Sequence, residues 1–109
     1  MEDYVSVGRV ADFREGIVRV FELESGPVAV VQHAGAFYGF SGRCSHEDYS
    51  FNYTRVRPGD RIICSSHLAV FELATGKVIA WPELEPLAVF DVRVEGDEVL
   101  VSTLPAEPP

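Results

Sequence analysis

Basic residues, cysteines and long apolar runs are all scarce in this chain, and each scarcity excludes a class of protein. Nine Lys/Arg stand against seventeen Asp/Glu, for a formal net charge of −8 at pH 7. That balance excludes a non-specific binder of nucleic acid or of an anionic membrane. Cysteines number only two. This is too few for the disulfide framework of a small secreted domain, and a lone pair suits a reducing compartment or a metal. The longest uncharged stretch, 25–42, is broken by Pro27, Gln32, His33, Gly35 and Gly39, and is too polar to cross a bilayer. The opening Met-Glu-Asp-Tyr lacks the basic and apolar regions of a signal peptide. A cytoplasmic, soluble chain without a membrane anchor is expected. Its 109 residues are enough for one core, and a monomer is expected. A hydrophobic content of 47% excludes wholesale disorder.

Helical periodicity is nearly absent too. Apolar residues alternate or bunch in short runs rich in Val, Ile, Phe and Tyr, closed by Gly, Pro and Asp. The pattern predicts strands over 17–23, 28–31, 37–40, 61–64 and 70–73, with turns at Ala34-Gly35, Pro58-Gly59-Asp60 and Thr75-Gly76-Lys77. Val89, Val92 and Val94 are expected to pair with Val99 and Val101 across Glu95-Gly96-Asp97. Eight or nine short strands on this spacing indicate an all-β antiparallel sandwich or barrel. Only 43–59 lacks strand character, and a long loop inside a compact β domain is usually functional.

That loop opens with Cys44-Ser45-His46, and the strand after it ends in Cys64-Ser65-Ser66-His67. Both cysteines and two of the three histidines thus fall in two motifs, C-x-H and C-x-x-H, with seventeen residues between them. Two thiolates and two imidazoles, each pair where a strand gives way to a loop, suit a soft or borderline metal. Three readings follow. A buried cysteine pair or a Cys44–Cys64 disulfide would leave the histidines incidental. A mononuclear zinc site would use the same four donors, although zinc knuckles space their cysteines two to four residues apart within one hairpin. The third is a two-iron two-sulfur cluster in which two His replace two Cys on one iron.

The spacing of these motifs resembles that of the Rieske-type ferredoxins, the small electron carriers of bacterial ring-hydroxylating dioxygenase systems. "CSHEDYSF" is similar to their first cluster loop, "FELATGKV" to the stretch after the second, and "PELEPLAVFDVRVEGDEVLV" to their Pro-rich loop and final hairpin. The resemblance implies a Rieske fold over 1–103 with a small cluster-binding part of two loops at about 43–82, followed by a disordered tail at 104–109. It implies one [2Fe-2S] cluster per chain, with Cys44 and Cys64 on the inner iron and His46 and His67 on the outer. Neutral imidazoles leave the outer iron the easier to reduce. It further implies a one-electron carrier, not an enzyme, between a flavin- and NAD(P)H-dependent reductase and a terminal oxygenase. The alternatives are the small subunit of an assimilatory nitrite reductase and a zinc-stabilised interaction module.

Departures from the family pattern are local. Ser65, Ser66 and Leu68 stand where relatives usually have Pro, often Trp, and Gly. Tyr49, Phe51 and Tyr53 make the first loop bulky, with Phe51 expected to fill its base. Respiratory Rieske proteins brace their loops with a disulfide, but Tyr49 and Ser66 occupy those positions here. Once His46 and His67 are assigned, only His33 is left, too few for the two-His, one-carboxylate iron of an oxygenase, and His33 is expected to be an ordinary surface residue. High-potential relatives carry Ser and Tyr hydroxyls where this chain has Ala69 and Phe71. Residues 43–77 hold five basic against four acidic side chains, so a near-neutral segment sits on an acidic body. Any electrostatic steering would therefore favour basic partner surfaces.

Overall fold

The computed structural model describes residues 4–24, 26–42, 51, 54–64, 69–80 and 87–105. Among them are ten strands, a short 3-10 turn at Val10–Asp12 and no α-helix. The strands are β1 (Tyr4–Arg9), β2 (Arg19–Leu23), β3 (Gly26–His33), β4 (Ala36–Ser41), β5 (Arg61–Cys64), β6 (Ala69–Glu72), β7 (Val78–Ala80), β8 (Val89–Phe90), β9 (Val92–Glu95) and β10 (Glu98–Ser102). They pair antiparallel in three sheets, ordered β1-β10-β9, β2-β3-β4-β8 and β5-β6-β7.

Strand β3 explains how the sheets stack. Its residues 28–31 are four apolar side chains in a row, so neither face can turn to water. Val28 and Val30 enter one core with Phe13, Val99 and Val101; Ala29 and Val31 enter a second with Phe40, Phe51, Ile62, Phe71, Leu73 and Leu87. Sheet β2-β3-β4-β8 is therefore the middle layer. The terminal sheet β1-β10-β9 covers one face and β5-β6-β7 covers the other.

The β3–β4 turn at Ala34-Gly35 has φ of 52° and 83°, the left-handed pair of a type I′ hairpin. Three expectations need correction. Val89 does not join the last hairpin. It lies opposite Phe40 in the middle sheet, and only Val92 and Val94 pair with Val101 and Val99. The chain changes sheet at Asp91, whose carbonyl accepts from Ser102 N at 2.9 Å, so one run of alternating valines serves two layers. Strand β2 starts at Arg19 rather than at position 17, because Ile17 forms a bridge to Arg55 and Val18 N donates to Thr54 O at 2.8 Å. Finally, β1 and β7 fall outside the strands read from sequence: β1 carries a register shift between Ser6 and Gly8, and β7 is three residues long. Of the expected tail, Leu104 is held by Ser102, whose hydroxyl donates to its carbonyl at 3.0 Å.

Candidate metal centre

Of the four candidate ligands, Cys64 lies among the described residues. Cys64 closes β5, its backbone in register with Ala69 at the start of β6, so His67 falls in the 65–68 connection of that hairpin. Cys44 and His46 follow β4 in the 43–50 stretch. Cys44, His46 and His67 lie outside the described residues, as do Tyr49, Tyr53, Ser65, Ser66 and Leu68.

What the structure describes is the ground on which both loops stand. Phe51 N donates to Gly42 O at 2.9 Å, and Gly42 N donates to Pro27 O at 3.0 Å, so the two ends of the first loop meet against β3. Gly42 is required by proximity, since a Cβ there would come within 2.9 Å of both Pro27 and Val20. Phe51 is fully buried, as expected of a residue filling the loop base. Its ring meets Phe40 edge-on at 5.6 Å and Phe71 edge-on at 6.3 Å. Phe40 lies two residues before Gly42, and Phe71 pairs with Ile62, two residues before Cys64. One aromatic chain thus joins the bases of the two loops that carry the candidate ligands. Each buried ring contributes about 2–3 kcal/mol of transfer free energy, and edge-to-face contact adds about 1 kcal/mol per pair.

Two further contacts hold the β5-β6-β7 sheet in place. Gly76 has φ of 75° and approaches so closely that a Cβ would lie 2.2 Å from Leu87 O, while Leu87 N donates to Gly76 O at 2.8 Å. His33 is the second, and it is no ordinary surface residue. Its Nε2 lies 2.7 Å from Asp60 Oδ1 and its Nδ1 lies 3.1 Å from Glu15 Oε2. The ring thereby ties the tip of the β3–β4 hairpin to the turn that enters β5. Sequence could not pair it with Asp60, twenty-seven residues away, because neither acid is marked out by its local sequence.

A donor set of two thiolates and two imidazoles, two donors to a loop, fits a [2Fe-2S] cluster with mixed ligation, and the described residues that flank both loops share one aromatic base. An antiparallel β fold of three layers with such a pair of loops defines a class of small iron–sulfur proteins. Comparison with known proteins agrees. Residues 3–91 match the Rieske [2Fe-2S] domain family, and the chain belongs to that family. It is 33% identical over 100 residues to the 3-phenylpropionate/cinnamic acid dioxygenase ferredoxin subunits of Shigella flexneri serotype 5b and Escherichia coli K12, covering 91% of this chain and 92% of theirs. Among solved structures, the ferredoxin of carbazole 1,9a-dioxygenase from Nocardioides aromaticivorans IC177 is 28% identical, with a TM-score of 0.82 over 90% of this chain and 95% of its own. A chain from a complex of reduced oxygenase and oxidized ferredoxin in carbazole 1,9a-dioxygenase reaches a TM-score of 0.86 at 28% identity, over 95% of this chain and 96% of that one. A nitrite reductase small subunit from Mycobacterium tuberculosis shares the fold at 15% identity. The chain is an electron-transfer component rather than a catalytic enzyme, and it takes one Rieske cluster. Among the described residues no helix is long and apolar enough to cross a membrane.

Proposed function

We propose that this chain carries single electrons from a flavin-containing, NAD(P)H-dependent reductase to a terminal oxygenase that hydroxylates aromatic rings, in the cytoplasm. The observation that carries the reading is the common base of the two loops: the Gly42–Phe51 bond, the Cys64–Ala69 pair and the Phe40–Phe51–Phe71 stack. Cys44 and Cys64 would hold one iron as thiolates, and His46 and His67 the other as neutral imidazoles. When bound, the cluster supplies a one-electron couple. The fold's part is to keep the loops from moving between the two oxidation states, because a rigid ligand shell limits reorganisation. The described side chains beneath the loops are apolar and fully buried, which serves that end. Ferredoxin relatives that cover nine-tenths of both chains support the dioxygenase partner, whereas the nitrite reductase likeness is one of fold.

The test is compositional and then functional. Purified protein is expected to hold about two irons and two acid-labile sulfides per chain. His46→Ala and His67→Ala are each expected to lose the visible spectrum, and a spectrum unchanged by loss of His67 would overturn the ligand assignment. Stoichiometric zinc without iron would overturn the reading as a whole.

A further inference from the structure

Three of the chain's nine basic side chains, Arg14, Arg19 and Arg55, line one open groove of about 450 Å³ together with Asp12 and Ile17. Ordered backbone holds them there. Arg14 begins a turn closed by Ile17 N donating to Arg14 O at 3.1 Å, with Gly16 at φ 73°, a conformation that suits glycine. Ile17 bridges to Arg55, and Val56 N donates to Gly16 O at 2.8 Å alongside. Two separate segments thus place their arginines side by side.

On a protein of net charge −8 this arrangement needs a reason. Acids are plentiful, yet the nearby ones are engaged elsewhere. Asp12 Oδ2 accepts from Arg9 N at 2.9 Å, and Glu15 Oε2 faces His33 and Ala34 N. Among the described residues neither Arg14 nor Arg55 has an ion-pair partner, and the Arg19 guanidinium lies 6.0 Å from the Phe21 ring centroid. Arg14 and Arg55 thus set two positive charges against the single Asp of the lining. Gathering like charges is unfavourable unless an anion completes the site.

The guanidinium fork favours carboxylate or phosphate. Ile17 is the one apolar side chain of the lining, so nothing encloses or stacks an organic ligand, as small-molecule sites do. An open strip rich in Arg is instead the composition of a protein interface, and Arg55 lies four residues beyond Phe51, on the stretch that leaves the first loop. We propose that this groove docks an acidic segment of a redox partner, whose carboxylates bridge Arg14 and Arg55. The inference rests on the electron-carrier reading and adds to it a contact of reverse sign. The acidic body attracts basic surfaces at long range, and the groove fixes the orientation of the encounter.

The test uses ¹⁵N-labelled holoprotein titrated separately with a hexaglutamate peptide, a hexalysine peptide and inorganic pyrophosphate. Hexaglutamate is expected to give saturable shifts confined to the amides of 14–19 and 54–57, weakened about tenfold as salt rises from about 20 to about 200 mM. Arg14→Glu and Arg55→Glu are each expected to weaken binding about tenfold, one factor of ten being 1.4 kcal/mol. Lys77→Glu, with the same change in net charge, is expected to leave it unchanged. Arg14→Gln and Arg55→Gln repeat the measurement if a reversal variant does not fold. The proposal is overturned if neither segment shifts, if Lys77→Glu weakens binding as much, if hexalysine gives the same shifts, or if pyrophosphate outcompetes hexaglutamate. Iron and labile sulfide are assayed on the same samples. A protein without cluster fails the electron-carrier reading, whereas a loaded protein with a silent groove fails only the docking proposal.

Discussion

Phe71 stands at the position where the family resemblance expects high-potential relatives to carry a Tyr hydroxyl. It is fully buried and packs edge-on against Phe51, with no hydroxyl to donate. Hydrogen bonds to cluster sulfur withdraw electron density and favour the reduced, more negative state, so their absence lowers the potential. The native potential is therefore expected in the lower part of the roughly −150 to +300 mV Rieske span. Phe71→Tyr is expected to raise it by tens of millivolts, since about 59 mV corresponds to 1.4 kcal/mol for one electron. Voltammetry on the two proteins measures the difference, and a native value well above about +100 mV would contradict the argument. His33 supplies a second prediction at this scale. His33→Ala is expected to keep iron and spectrum intact while lowering stability by about 1 kcal/mol, a modest figure because Glu15 and Asp60 are about 60% exposed. Thermal unfolding followed by circular dichroism reads that loss. The two Cys/His motifs were legible in the chain because spacing alone carries them. The role of His33 was not, because it depends on two acids that only the fold brings to its ring.

Among the structural elements, the turns were the most legible and the sheet partners the least. The glycines of Ala34-Gly35 and Gly96-Asp97 announce hairpins by composition, since left-handed backbone favours Gly. Nothing in the spacing of Val89, Val92 and Val94 shows that the chain leaves one sheet at Asp91 and joins another. Glycine substitutions separate local from tertiary constraint. Gly76 and Gly96 share a left-handed backbone, with φ of 75° and 65°. A Cβ at Gly96 meets nothing within 4 Å, whereas one at Gly76 meets Leu87 O at 2.2 Å. Gly96→Ala is expected to cost about 1 kcal/mol, the strain of the conformation alone. Gly76→Ala is expected to cost more than about 3 kcal/mol, because it also displaces the segment that follows the 81–86 stretch. Denaturant unfolding of the two variants decides the ranking, and equal losses would show that the close approach at Gly76 is relieved cheaply.

The whole molecule divides into layers of unequal independence. The core between the middle sheet and β1-β10-β9 is built from Phe13, Val28, Val30, Val99 and Val101, none of them adjacent in sequence to the two candidate loops. The core beneath β5-β6-β7 contains Phe51, Ile62 and Phe71, residues next to both loops. Metal binding and folding are coupled where ligands order the chain. Removal of the cluster is therefore expected to deprotect the amides of Ile62 and Phe71 in hydrogen exchange while Val99 and Val101 stay protected. Uniform deprotection would show that the layers unfold as one unit.

By itself the sequence determined the all-β class, most strand positions, the spacing of the two Cys/His motifs and the family. Those properties are carried by alternation, turn chemistry and spacing, which are local along the chain. The tertiary structure decided that β3 is buried on both faces, that one phenylalanine stack underlies both loops, that His33 fastens the entry to β5, and that Arg14, Arg19 and Arg55 share a groove. Each of these joins residues distant in sequence, and their proximity arises only when the three sheets pack to remove apolar surface from water.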